Sequence, residues 1–389
     1  VPAIIPSDYF NPLLYTGNNN TQSIDDLTFA PDLVWIKSRS NGTSHELNDS
    51  VRGQVSRLFS DNTDAQGTIA NGFVSLDSNG FSLNNAGNGG EVNGLNRTYV
   101  AWNWKAGGAP TATNSAGAGN VPTAGSVKID GADSTTALAG TIAATSISAN
   151  TEAGFSIVTY TTQSSGTATV GHGLSSPPDM VIVKTTQVAD SWRTYHSSLG
   201  AGFQIYLNLT NAAGSTANQW NNTAPTSSVF TLGTDNAGSY PTVAYCFASI
   251  PGMSDIGSYV GLGSSANPVI VTGFRPAFVM IKNTTSGSTS WVMADDRRGY
   301  NDLYANDASA EFASGSLYGA HFLSNGFTTN TADVSRNASG KTYIYLAIAE
   351  QVYNANAVTA NQTNPFNDGS QIAQYEFEDN ADDSQPNGY

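Results

Sequence analysis

One cysteine, Cys246, occurs in 389 residues, so no disulfide can form within the chain. It sits in the apolar run VAYCFA, where a buried, inert thiol is expected rather than a nucleophile. Charge is also scarce. Asp, Glu, Lys and Arg make up 12% of the residues, about half the share usual in soluble domains. Lys and Arg number 15 against 30 Asp and Glu, a formal net charge of −15. So few cations exclude nucleic acid held by phosphate neutralisation, and the sign opposes docking on anionic lipid. No apolar run approaches the roughly 18 residues of a membrane span, so no membrane insertion is expected. Histidines are four: His45, His172, His196 and His321. No HExxH, CxxC or paired-His spacing exists, so neither a metal nor another cofactor is expected.

Glycine is plentiful, at 39 residues, and aromatics reach 10%. Aromatic and branched residues at that level argue against disorder and for turn-rich β-structure. The chain begins at Val1, which points to processing or to a piece of a longer polypeptide.

One pattern occurs three times. Its anchor is a proline, an apolar run and a lysine: PDLVWIK at Pro31–Lys37, PDMVIVK at Pro178–Lys184 and PAFVMIK at Pro276–Lys282. A polar gap follows, then His45, Trp192 or Trp291, with Gly53, Gly200 or Gly299 eight residues on. DSNGF at Asp77–Phe81 matches LSNGF at Leu323–Phe327. Each copy opens on a strand with a tyrosine (Tyr15, Tyr160, Tyr259) and closes on TYVAWNW, TVAYCFA or TYIYLAIA. The first anchor interval is the longer by 49 residues, which fall in a segment rich in Ala, Gly, Ser and Thr.

These signals predict an all-β chain of three tandem β-sandwich or jelly-roll-like modules, arranged as beads in a line. An extended N-terminal arm covers residues 1–12. The modules cover 13–106, 154–250 and 256–353, with copies two and three close enough to pack as a pair. Residues 107–153 are expected to be a flexible or extended linker. Residues 354–389 form an acidic polar tail around Glu376, Glu378, Asp379, Asp382 and Asp383.

Chemistry is harder to find. His45 stands where the other copies carry Trp, which favours packing over ligation. Asp25-Asp26 and Asp295-Asp296 lack the ligand order of a calcium loop and read as solvated surface carboxylates. Asp32 and Asp179 recur, but the third copy has Ala277, so no acidic position repeats throughout. Glycoside cleavage needs two carboxylates about 5–10 Å apart, which sequence alone does not place. GxSxG before a helix and a P-loop lysine are both missing. The repeated Lys37, Lys184 and Lys282 read as structural, pairing a carboxylate or shielding a strand edge. No catalytic, cofactor-binding or metal residue is assigned. Trp220 in NQWNN is a conspicuous loop tryptophan that reads equally as local core. Ligand-binding residues stay open.

The strings SDYFN, LLYTGNNNTQSI, FAPDLVWIKSRS, DSVRG and TYVAWNWKAGG resemble an uncharacterised three-module family of tailed-bacteriophage virion structural proteins, found in marine phages. VGHGLSSPPDMVIVK with WRTYHSSLG, and GFRPAFVMIK with ASGKTYIYLAIAE, resemble its second and third modules. The resemblance spans residues 7–352. His45, the weak middle portion of the second copy and the polar tail depart from the pattern. Family members often follow a SPRY-like domain, so Val1 would lie downstream of one. The resemblance implies a virion protein on the particle exterior: a tail fibre, a tail-associated adhesin or a capsid decoration. Its partners would be other virion proteins, further copies of itself as a homo-oligomer, and a host-surface glycan. It implies no catalytic residues. A polysaccharide-degrading tailspike and a purely structural spacer are the alternatives.

Overall fold

The computed structural model describes residues 4–68, 71–85, 91–263, 266–299, 301–312, 319–329 and 333–350. The anchors become Leu33–Ser38, Met180–Thr185 and Pro276–Asn283, strands in which every residue is buried. That burial explains why they read as continuous apolar runs rather than alternating ones. Each lies between two neighbours. The closing strands Thr98–Trp104, Pro241–Phe247 and Thr342–Ala349 pair antiparallel on one side. Glu46–Asp49, Arg193–His196 and Val292–Asp295 pair on the other. Opening strands Phe10–Thr16, Phe155–Thr161 and Ser254–Val260 lie outside the closing ones. The same strand order thus recurs in three main sheets, each accompanied by a small sheet of two or three strands.

The fold is all-β apart from short 3-10 turns among the described residues, as the sequence predicts. The repeated glycines have conformational reasons. Gly53, Gly200 and Gly299 take φ of +95°, +79° and +70°, left-handed values that glycine adopts without strain. In the two SNGF turns, a Cβ on Gly80 or Gly326 would stand 1.8 or 1.9 Å from the carbonyl oxygen of Ile24 or Ile270.

Alternate residues of each anchor face two cores. Val34 and Ile36, Val181 and Val183, and Val279 and Ile281 each pack in a separate cluster on the small-sheet side. The opposite faces, with Trp35, Ile182 and Met280, meet in one cluster common to all three sheets. There the Trp104 ring lies 6.3 Å from Phe155, 6.4 Å from Phe247 and 6.0 Å from Phe278. The copies are therefore not beads in a line, because each main sheet buries one face against the other two.

Two further expectations need correction. Residues 107–153 are not a plain linker. They supply Val127–Ile129, Ala132–Asp133 and Ala144–Asn150, which widen the second main sheet to nine strands. Small residues suit this role, since a Cβ on Gly107 would approach the Ala149 carbonyl to 2.5 Å. The arm at 1–12 is not simply extended: Pro6–Asp8 make a 3-10 turn and Phe10 to Pro12 already belong to the first opening strand. Residues 351–389, and with them the acidic tail expected at 354–389, lie outside the described residues.

Candidate functional site: the seams between sheets

The three sheets meet along three seams, and equivalent residues make equivalent bonds at each. The amide of Gln66 donates to the Thr186 carbonyl at 2.8 Å, Ala213 to Thr284 at 3.0 Å, and Glu311 to Arg39 at 2.8 Å. These link first to second, second to third and third back to first, so the circuit is closed. The tryptophans of the repeat serve the same seams. Trp192 Nε1 donates to the Phe59 carbonyl at 2.8 Å and Trp291 Nε1 to the Tyr206 carbonyl at 2.9 Å. At the remaining seam His45 replaces Trp. Its Nδ1 accepts from Trp35 Nε1 at 2.9 Å, so Nε2 carries the hydrogen. Nε2 lies against the backbone of Tyr304 and Asp307, but reaches full hydrogen-bond geometry with neither. The packing role read for His45 holds; it fills the Trp slot.

A second set of seam bonds comes from the last residue of the strands Glu46–Asp49 and Val292–Asp295. Asp49 Oδ2 accepts the Tyr245 hydroxyl at 2.7 Å, and Asp295 Oδ2 accepts Trp102 Nε1 at 2.9 Å. Each carboxylate also binds a buried arginine: Arg52 Nε at 2.5 Å and Arg298 Nε at 2.6 Å. Asp295 is therefore buried and paired, not the solvated carboxylate the sequence suggested, whereas Asp25 and Asp26 are exposed. In the second copy the equivalent of Asp49 is His196. Its Nδ1 accepts the Ser198 amide at 3.2 Å, as Asp49 Oδ1 accepts that of Val51 at 3.0 Å. Its Nε2 donates across the seam to the Tyr345 carbonyl at 3.2 Å.

Lys37, Lys184 and Lys282 are fully buried on the shared-core side of the anchors. Their hydrogen-bond acceptors are backbone carbonyls and, for Lys282, also the Thr289 hydroxyl, not the carboxylates expected. Lys37 donates to Ser38 at 2.8 Å, Lys184 to Thr185 at 3.1 Å and across a seam to Thr63 at 3.2 Å, and Lys282 to Thr289. They shield no edge, since each anchor is internal to its sheet. Burial pulls all three ammonium groups down to about 8.

The remaining singled-out residues scatter. His172 is buried in the second copy, with Nδ1 accepting the Leu174 amide at 3.1 Å and Nε2 at 3.0 Å from the Thr226 carbonyl. His321 is half-buried on Ala320–Leu323. Cys246 is buried, which pushes its thiol up to about 12. Trp220 is 2% exposed and packs 5.8 Å from Tyr195, so it is core and not a loop-tip platform. Asp32 takes the Ser50 hydroxyl and the amides of Ala106 and Gly108, and burial still raises its pKa. Among the described residues no three His, Cys, Asp or Glu side chains group closely enough to hold a metal ion.

Among the described residues several recesses open to solvent, one of them beside Asp32, Ser50 and Asp77. A groove of about 630 Å³ follows the first-to-second seam, lined by Arg52, Gln66, Thr159, Thr161, Thr186 and Pro241. Hydroxyls, an amide and the edge of a guanidinium suit hydrogen bonding to a polyhydroxylated ligand. Another recess, of about 600 Å³, has an apolar floor of Val127, Leu138, Ile147 and Leu174. Residues 107–153, which sequence composition had marked as linker, supply Thr145 to the seam groove and Val127, Leu138 and Ile147 to the apolar-floored recess.

No curated protein and no solved structure matches the chain. A family model, described as a domain of unknown function (DUF7483), matches residues 5–352, nearly the whole extent of the three repeats. The chain belongs to that family.

Proposed function

We propose that this chain is a structural protein of a bacteriophage virion, displayed on the particle exterior as a tail fibre, tail-associated adhesin or capsid decoration. In this role it contributes to attachment at the host surface and performs no catalysis. The observation that carries the reading is where its polar chemistry goes. Lys184, Asp49, Asp295 and His196 are engaged in holding three sheets together. The exterior is left to hydroxyl- and amide-bearing loops, including the Thr-lined groove at the first-to-second seam. The resemblance of the repeated strings to phage virion proteins supports the same reading.

Contacts with other virion proteins or further copies of the chain fit the third repeat. Among the described residues, more than half of the exposed large apolar side chains lie there, with Val269 and Val271 the most open at 65% and 64%. The test has two arms. Purified protein on a glycan array and on host cells should bind saturably and release no reducing ends. A map of the intact particle should place the chain outside. Reducing-end release would replace the reading with a depolymerase; absence from the particle would end it.

A further inference from the structure

We propose that the circuit of sheets contains an acid-opened device: protonation of His45 and His196 frees the third sheet from both neighbours, while the first-to-second seam stays shut.

The inference rests on where histidine replaces the usual seam residue. The first-to-second seam is closed by Asp49 with Tyr245 and by Trp192 with the Phe59 carbonyl, and no histidine takes part. The second-to-third seam carries His196 in the Asp slot. The third-to-first seam carries His45 in the Trp slot. Both substitutions fall on the boundaries of one sheet.

Each imidazole is wired for the neutral state. His196 Nδ1 already accepts the Ser198 N–H, and His45 Nδ1 accepts the Trp35 indole N–H. A proton added at either Nδ1 sets two donors against each other, and the new charge is buried. The surrounding groups do not rescue it. His45 faces Lys37 on its own sheet and Arg298 on the third, both cations. Asp61 is engaged by the His45 backbone amide at 2.8 Å, and Asp307 lies across the seam. His196 is faced by Asp179 on its own sheet and by the Tyr345 strand, whose hydroxyl binds Asp255 at 2.6 Å. Burial outweighs Asp179 and pulls His196 down to about 4, and pulls His45 well below its usual 6.5. The unfolded chain therefore binds protons first, and the seams lose stability as pH falls from 6.5 through about 4. His172 is wired alike but lies inside the second copy, away from any seam.

Three equivalent backbone amides report on the three seams: Gln66, Ala213 and Glu311. Hydrogen exchange of the intact chain, corrected for intrinsic rates, is followed from pH 7 to pH 4. Ala213 and Glu311 are expected to lose about tenfold or more of their protection per pH unit as the histidines charge, while Gln66 keeps its own. The H45Q/H196Q variant, whose amides donate and accept without charging, is expected to open at least about one pH unit lower. If that variant does not fold, imidazole NMR of the unaltered chain takes its place: His45 and His196 should titrate together with the exchange onset. Simultaneous loosening at all three amides, an unchanged opening pH in the variant, or titration uncoupled from exchange would each overturn the proposal.

Discussion

His196 donates a hydrogen bond from Nε2 to the Tyr345 carbonyl at 3.2 Å, where its counterparts Asp49 and Asp295 instead accept hydrogen bonds from Tyr245 and Trp102. The polarity is reversed because the third closing strand has Leu346 at the position of Trp102 and Tyr245, with no side-chain donor to offer. A backbone carbonyl is what remains, and a neutral imidazole is a side chain that can accept from its own turn while donating outward.

The Asp49 unit should be costly to break. Asp49→Ala leaves Arg52 buried without its carboxylate and is expected to cost about 3–5 kcal/mol. Tyr245→Phe removes one seam bond while keeping the ring, and should cost about 1–3 kcal/mol. Urea denaturation of the two variants beside the parent checks both values and their order.

The anchor lysines set an alkaline rise in stability. Each has a folded pKa of about 8 against an ordinary 10.5. Between those values the unfolded chain holds more protons, so unfolding free energy increases with pH. Above about pH 10 the buried tyrosines reverse the trend, since Tyr245 is held well above its usual 10.0 and the folded state then holds more protons. Urea midpoints at pH 7, 8, 9 and 10 should climb, and substituting the three lysines by Met should flatten the climb.

Glu46 runs the other way. Its carboxyl is buried with Arg57 Nη1 3.6 Å off, and burial lifts it from 4.5 to about 7 despite that cation. The folded state keeps a proton that the unfolded state has released, so stability falls as pH rises from 4.5 through 7. Glu46→Gln should raise the melting temperature at pH 8 and leave it nearly unchanged at pH 4.

The Gly80 and Gly326 turns admit no side chain. Alanine at either would push the Ile24 or Ile270 strand away from its small sheet, with an expected loss of about 2–4 kcal/mol. Thermal unfolding of the two variants should show comparable losses, because the two turns share one geometry.

The repeat was legible because its determinants are local. A proline, a run of four or five apolar residues and a lysine mark an internal strand, and SNGF marks a turn with a carbonyl against its glycine. The seams were not legible. Trp102 meets Asp295 and Trp192 meets Phe59 only once separate sheets have packed together, and nothing in either neighbourhood names its partner. The stretch ATSISAN was also misread. Its side chains are small because it lies edge-on against Phe155–Thr161 with Gly107 and Gly173 close by, and small residues signal a loop unless that crowding is known. Trp220 looked like a loop residue for its Asn neighbours, although Tyr195 and the second-copy core enclose it.

Closure also governs the order of events during synthesis. When only the first two sheets have been made, one seam can form, and Trp102 and Trp104 lack the cover of Phe278 from the third. Arrival of the last sheet completes two boundaries in a single step. The nascent chain is thus most prone to aggregate just before the third sheet emerges, and a two-repeat fragment would be held permanently at that vulnerable stage.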